Sequence, residues 1–155
     1  MTSGGQKQHV VCLSCGAVNR VPAEGRLTKG KCGACAASLA TDTPVDIDAK
    51  TLDRLMARDE GAFLLDVWAP WCGPCRMMAP AYAEAAKHFE GDLRFLKVDS
   101  DAHPKAAARL QVRGIPALFL IDNGRIADQH AGAMTTPALI NWLQNSAALT
   151  PTPSS

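Results

Sequence analysis

"VWAPWCGPCRMMAP", residues 67–80, joins the end of a strand-like apolar run to the start of helix-like spacing, with two cysteines, a glycine and a proline at the junction. The run itself, "AFLLDVW" over 62–68, is almost continuously apolar, as expected of a strand covered on both faces in a parallel sheet; only Asp66 interrupts it. A helix is predicted from Cys72 to about Phe89, with Pro80 inside it expected to kink the axis. Cys-x-x-Cys at such a junction sets its first sulfur beside unpaired helix N–H groups, whose positive field favours thiolate over thiol. Cys72 is therefore the candidate nucleophile. Cys75, one helical turn later, is placed to attack a mixed disulfide formed at Cys72 and release the reduced substrate. By spacing alone the pair could also be a zinc half-site or a packing accident, but the strand before and the helix after it favour redox chemistry.

On either side of this junction the pattern alternates between strands and helices. Asp48 is a plausible N-cap for a surface helix carrying Leu52, Leu55 and Met56, which Gly61 is expected to stop. "LRFLKVD", 93–99, reads as a strand, and a short helix follows near 104–110. "PALFLIDNGRIADQH", 116–130, holds two strand-like runs around Asn123-Gly124, a dipeptide that tolerates the positive dihedrals of a tight hairpin. Thr136 followed by Pro137 suggests an N-cap and a first-turn proline for a last helix with Leu139, Ile140 and Leu143 on one stripe. With Val45 to Ile47 as the weakest strand, the order predicts an α/β fold, a mixed central sheet with helices on both faces.

A chain of 155 residues, 47% hydrophobic and 20% charged, can bury one ordinary core, so one main domain plus an appendage is expected. All eight aromatic residues lie between 63 and 142, which puts the core there. The first 35 residues carry +4, from Lys7, Arg20, Arg26, Lys29 and Lys31 against Glu24, while the remainder carries −3. No run approaches the ~20 apolar residues of a membrane span, and the start lacks the pattern of a secretory signal. A soluble, cytoplasmic protein without membrane attachment is expected, a setting in which six cysteines read first as ligands or redox groups.

The segment from about His9 to Ser38 shows no convincing helical or alternating period. It reads "CLSC", sixteen intervening residues, then "CGAC", the spacing of a four-cysteine zinc site formed by Cys12, Cys15, Cys32 and Cys35. Zn–S bonds would supply the folding free energy that an aromatic-free segment cannot obtain from burial. Zinc with four thiolates carries −2, so the excess of Lys and Arg reads as neutralisation, and without aromatics to stack on bases no nucleic-acid partner is expected. Two disulfides are the competing reading, and His9 an alternative ligand; His88, His103 and His130 show no metal spacing.

Trp71-Cys72-Gly73-Pro74-Cys75, with Asp66 before it, Pro80 after it, Gly114-Ile115-Pro116, Asn123-Gly124 and Ala131-Gly132-Ala133, closely resembles the thioredoxin family over roughly residues 45–148. With the N-terminal module, the chain resembles the bacterial thioredoxin 2 subgroup, which carries an N-terminal zinc-binding extension. The expected layout is a small zinc-ribbon-like module over 1–37, a linker and first strand over 38–47 (with "ASLATDTPVD", 37–46, reading as linker), a thioredoxin domain over 48–149 and a disordered tail over 150–155. Arg76 stands where the family commonly has lysine and Ala117 where it has threonine, which bears on substrate preference.

The resemblance implies a protein-disulfide reductase, recharged by an NADPH-dependent thioredoxin reductase and acting on disulfide-containing proteins as a monomer. NADPH and flavin belong to that partner, since no Gly-rich dinucleotide fingerprint follows a strand here; zinc, structural or redox-regulated, is the one cofactor expected. The resemblance also implies that Trp71, Gly73, Pro74, Ile115, Gly132 and Ala133 form a rim for protein substrates. Pro116 could be an ordinary trans edge proline, but the resemblance implies a cis bond that shapes docking of an extended substrate. Desolvation should raise the pKa of Asp66 and let it exchange a proton with Cys75, while Lys97 in a supporting role could pair with it. Trp68 reads as packing. The rival functions are a redox-sensitive zinc-containing holdase or interaction module, and an oxidant or disulfide isomerase; Gly73-Pro74 resembles the reducing members.

Overall fold

The computed structural model describes residues 7–22 and 30–146; the expected tail over 150–155 lies outside them. Among the described residues eleven elements are formed: β1 Lys7–Val11, β2 Val18–Pro22, β3 Val45–Asp46, α1 Ala49–Arg58, β4 Ala62–Trp68, α2 Gly73–His88, β5 Arg94–Asp99, α3 Pro104–Arg109, β6 Ala117–Asp122, β7 Arg125–Ala131 and α4 Thr136–Gln144. From β3 onward the order is the one expected. The main sheet runs β3-β5-β4-β6-β7, with β3, β5 and β4 parallel and β6 and β7 each antiparallel to its neighbour.

The unbroken apolar character of β4 follows from its central place between β5 and β6. Phe63, Leu65 and Val67 pack on one face with Leu52 and Leu55 of α1 and Ala106 of α3. Leu64 packs on the other with Met78, Tyr82, Ala85 and Ala86 of α2 and Leu139 and Leu143 of α4. A period of two along the strand therefore sends Asp66 to the α2 side. There the Tyr82 hydroxyl is shared between the carbonyls of Leu64 (3.1 Å) and Leu96 (2.7 Å), locking α2 to the sheet. Pro80 lies inside α2, where it withdraws one N–H from the helical ladder.

The Asn123-Gly124 turn has positive φ at both residues (52° and 74°), the geometry that a two-residue hairpin selects. Glycine is required at the second place, because a Cβ there would come within 2.5 Å of the Met56 carbonyl oxygen. At α1 the expected cap forms: Asp48 accepts the Thr51 N–H at 2.7 Å. Two boundaries differ from expectation. The last helix is capped by Thr135, whose hydroxyl accepts the Ala138 N–H at 3.3 Å; Thr136 and Pro137 occupy the first turn. At the other correction, α1 ends at Arg58, before Gly61, because Asp59 leaves the helix in an extended conformation. Its buried carboxylate is taken up by Arg94 (2.7 and 3.1 Å) and by the N–H groups of Gly61 (3.1 Å) and Val11 (2.8 Å).

The N-terminal segment, whose sequence shows no convincing alternating period, forms an antiparallel hairpin of β1 and β2. Val10 and Val21 bury against Cys12, Cys32 and Leu39, a core too small to announce itself in a sequence pattern. The module also extends into the expected linker: Lys31 bridges Ser38, and the Leu39 N–H donates to the Gly30 carbonyl at 2.9 Å. Val11 at the end of β1 joins the core cluster beneath α1, with Leu13 and Val18 packed against it. Glu60 N–H donates to His9 O and His9 N–H to Glu60 Oε1, both at 2.7 Å, and Arg54 Nε donates to the Gly16 carbonyl. The module is docked on the α1 side of the sheet.

Candidate functional site

Cys72 and Cys75 are joined as a disulfide, and both are buried where β4 hands over to α2. The chain turns here because Cys72 caps the helix, its sulfur facing the Cys75 N–H at 3.2 Å, and Pro74 occupies the first turn without needing an N–H partner. Arg76 braces the approach by donating to the Pro70 carbonyl at 2.7 Å. Trp71, adjacent to Cys72, and Met77, two residues beyond Cys75, are 66% and 80% exposed.

The loop before β6 reaches this point from the opposite side of the fold. The Ile115–Pro116 peptide bond is cis, and the Ile115 carbonyl oxygen lies 3.8 Å from Cys72 Sγ. Ile115 and Trp68 pack around Ala69, Cys72 and Cys75. The Gly132 N–H donates to the Pro116 carbonyl at 2.9 Å, with Gly132 at φ 100°, so the loop after β7 is fastened to the proline loop. A Cβ on Gly73 would meet nothing within 4 Å, and Pro74 and Ala133 are exposed.

Asp66 is buried, and desolvation pushes its carboxyl from an ordinary 3.8 up to about 7, with the Lys97 charge partly opposing that rise. Asp66 and Lys97 are register partners on β4 and β5. Lys97 acts on Asp66 as a neighbouring charge without an ion pair between them: its ammonium lies 4.5 Å from the centroid of the Trp68 ring, and Asp66 Oδ1 has no hydrogen-bond partner. Trp68 packs as expected and also carries the Lys97 ammonium over its ring, a contact that no sequence signal announces.

In the module, the sulfurs of Cys12, Cys15, Cys32 and Cys35 all lie within 4.8 Å of one another, two buried and two exposed. Among the described residues they are the one group of three or more potential ligands that converges this closely; His9 lies instead against Glu60, 3.6 Å away. Each pair closes the same knuckle. Cys12 N–H donates to Ala17 O and Gly16 N–H to Cys12 O, while Cys32 N–H donates to Ala37 O and Ala36 N–H to Cys32 O, all at 2.8 Å. The Asn19 side chain and nearby backbone N–H groups pull the Cys32 thiol down to about 6. Cys35 receives the Ala37 N–H, which lowers it, yet burial and the three neighbouring sulfurs drive it up to about 12. Beside those three sulfurs Cys35 therefore resists becoming a thiolate by itself. A soft divalent cation removes that conflict, so the donor set fits a tetrahedral metal site.

Among the described residues no helix is long and apolar enough to cross a membrane. The family described as Thioredoxin matches residues 43–145, and the one described as Thioredoxin 2, N-terminal, a zinc-ribbon family, matches residues 11–37. The chain is 37% identical over 134 residues to Thioredoxin C-3 of Corynebacterium nephridii, covering 86% of this chain and 92% of that protein. It is 48% identical over 86 residues to Thioredoxin 1 of Chlorobaculum tepidum, covering 56% and 85% respectively. A crystal structure of chloroplastic thioredoxin z shares the fold, with a TM-score of 0.59 at 23% identity over 65% of this chain and 91% of that one.

Proposed function

Because the chain belongs to the thioredoxin family of thiol–disulfide oxidoreductases, we propose that it reduces disulfides in other proteins through Cys72 and Cys75. The observation that carries this reading is the Cys72–Cys75 disulfide at the N-terminus of α2, with the Ile115 carbonyl 3.8 Å from Cys72 Sγ. In the reduced protein the Cys72 thiolate, favoured by the free N–H groups of the helix, attacks one sulfur of a substrate disulfide and expels the other as thiolate. Cys75 then gives its proton to Asp66 and attacks Cys72 Sγ, releasing the second substrate thiol and closing the intramolecular disulfide. A carboxyl that titrates near 7 is matched to this transfer at neutral pH. Two electrons pass from the dithiol to the substrate.

The rim for an extended substrate comprises Trp71, Gly73, Pro74, Ile115, Gly132 and Ala133, with Pro116 holding the Ile115 backbone where a peptide can pair as an added strand. A thioredoxin reductase returns electrons from NADPH. Cys12, Cys15, Cys32 and Cys35 hold one zinc ion, which when bound supplies the charge balance and cross-links that the small valine core lacks. Among the described residues the redox domain begins with β3 and the module reaches Leu39, and the chain works as a cytoplasmic monomer. Cys75→Ser is expected to trap covalent substrate complexes and Cys72→Ser to trap none, read by mass spectrometry; equal trapping by both overturns the assignment of roles. The exposed Trp71 and Met77 favour one alternative, a holdase, to which normal client protection by the double serine variant would point.

A further inference from the structure

The strand register places Asp66 and Lys97 side by side on one face, yet the lysine ammonium sits on the Trp68 indole and Asp66 makes no ion pair among the described residues. Neighbouring strands are ~5 Å apart, so a four-carbon lysine stem has length to spare for contact with the carboxylate. Two attractors compete for one cation. The indole face attracts the ammonium through its quadrupole while leaving it some water. Contact with Asp66 would strip that water inside a low-dielectric pocket, and such desolvation offsets much of the Coulombic gain. Trp68 is two residues along β4 from Asp66 and so on the same face, which lets the ring stand beside the carboxyl and hold its natural partner.

We propose that Trp68 is a positioning residue: its ring retains the Lys97 ammonium and keeps it out of a contact pair with Asp66, so that the carboxyl stays available to accept the Cys75 proton. This rests on the proton-accepting role given to Asp66 above. Among the described residues, the surroundings of Asp66 leave Lys97 as the only cation able to decide the matter. On β6 its register partner is the apolar Leu118. From α2 comes Tyr82, whose hydroxyl is committed to two carbonyls, and, once reduced, the Cys75 thiol; α4 contributes Leu139 and Leu143 to this face. Contact pairing would hold the carboxyl ionised and weaken it as a base, whereas loss of the lysine charge would leave it protonated to higher pH.

The test follows the Asp66 carboxyl directly, by 13C NMR titration of the oxidised, metal-loaded full chain. Trp68→Leu frees the ammonium to reach the carboxylate and is expected to weaken proton binding by roughly tenfold, moving the midpoint down about one pH unit. Trp68→Phe, which keeps a smaller ring, should move it the same way by less, and decides the matter if the leucine variant does not fold. Lys97→Met should move the midpoint up. In the Lys97→Met background the Trp68 substitutions should have no effect. A Trp68 shift that survives without Lys97 means that water entering the vacated space is responsible, and overturns the proposal, as does the absence of any shift. Turnover is not needed for this readout. If the midpoints move as stated but the pH dependence of mixed-disulfide resolution does not follow them, the proton role of Asp66 fails while the positioning by Trp68 stands.

Discussion

The three Cys-x-x-Cys pairs have identical spacing and opposite fates, and the residues just after each pair make the difference. In the module the chain turns back at once: Gly16 and Ala36, four residues beyond Cys12 and Cys32, take positive φ (81° and 68°) and close the knuckles. That throws the four sulfurs together and leaves a charge conflict for a metal to resolve. At Cys72 the chain goes forward, with Pro74 in the first turn and the Arg76 N–H donating to the Cys72 carbonyl to start a helix of sixteen residues. The two sulfurs there join each other. Spacing supplies the ligands, and backbone direction selects between metal binding and redox exchange.

The largest expected break in this comparison is removal of metal. Stripping a metal from the four cysteines with a strong chelator, or Cys32→Ser, should abolish a binding free energy on the order of 10 kcal/mol and release the hairpin. Amide exchange should then become fast at Val10 and Val21 and stay slow at Leu64 and Leu118, which belong to the other core. Loss of protection in both regions would mean that the domain leans on the module through Asp59 and Val11.

A smaller effect separates the regions by what burial costs them. Between its ordinary 3.8 and about 7, Asp66 holds a proton in the folded protein that the unfolded chain has already released. Stability therefore falls as pH rises across that window and is lowest above it. Asp66→Asn should stabilise the protein at pH 8 by a few kcal/mol, with a ceiling of about 4 kcal/mol at 1.36 per pH unit, and by little near pH 4. Urea denaturation at the two pH values checks this, and an equal gain at both would assign the effect to packing.

The smallest effect concerns the two knuckles alone. Ala36 occupies the positive-φ place that glycine fills at Gly16. Ala36→Gly relieves a left-handed alanine at the expense of a more flexible unfolded chain, a net gain of about 0.5–1 kcal/mol. It should appear as slower metal loss to a competing chelator; faster loss would show that the Ala36 methyl contributes packing there.

Much of the domain is legible along the chain because its signals are local. The apolar run of β4 reports two covered faces, Asp48 with its Thr51 partner marks a helix start, and Asn123-Gly124 announces a hairpin through its own dihedrals. The cysteine motifs are equally local, since ligand and nucleophile spacing is written in consecutive residues. The hairpin of β1 and β2 escapes notice because Val10 and Val21 find their neighbours only when Cys12 and Cys32 converge. The end of α1 escapes for a similar reason: what draws Asp59 off the helix is Arg94, thirty-five residues away.

Residue order alone thus determined the alternation of strands and helices, the three thiol pairs and a carboxyl set in an apolar strand, since each depends on periodicity or on atoms within a turn of one another. Tertiary structure alone decided which partner each charged group found. Lys97 went to Trp68 rather than to Asp66, and Asp59 to Arg94 and the Val11 N–H. Electrostatic and hydrogen-bond partners are chosen by distance and desolvation in the assembled fold, and neither quantity exists until the sheet has formed.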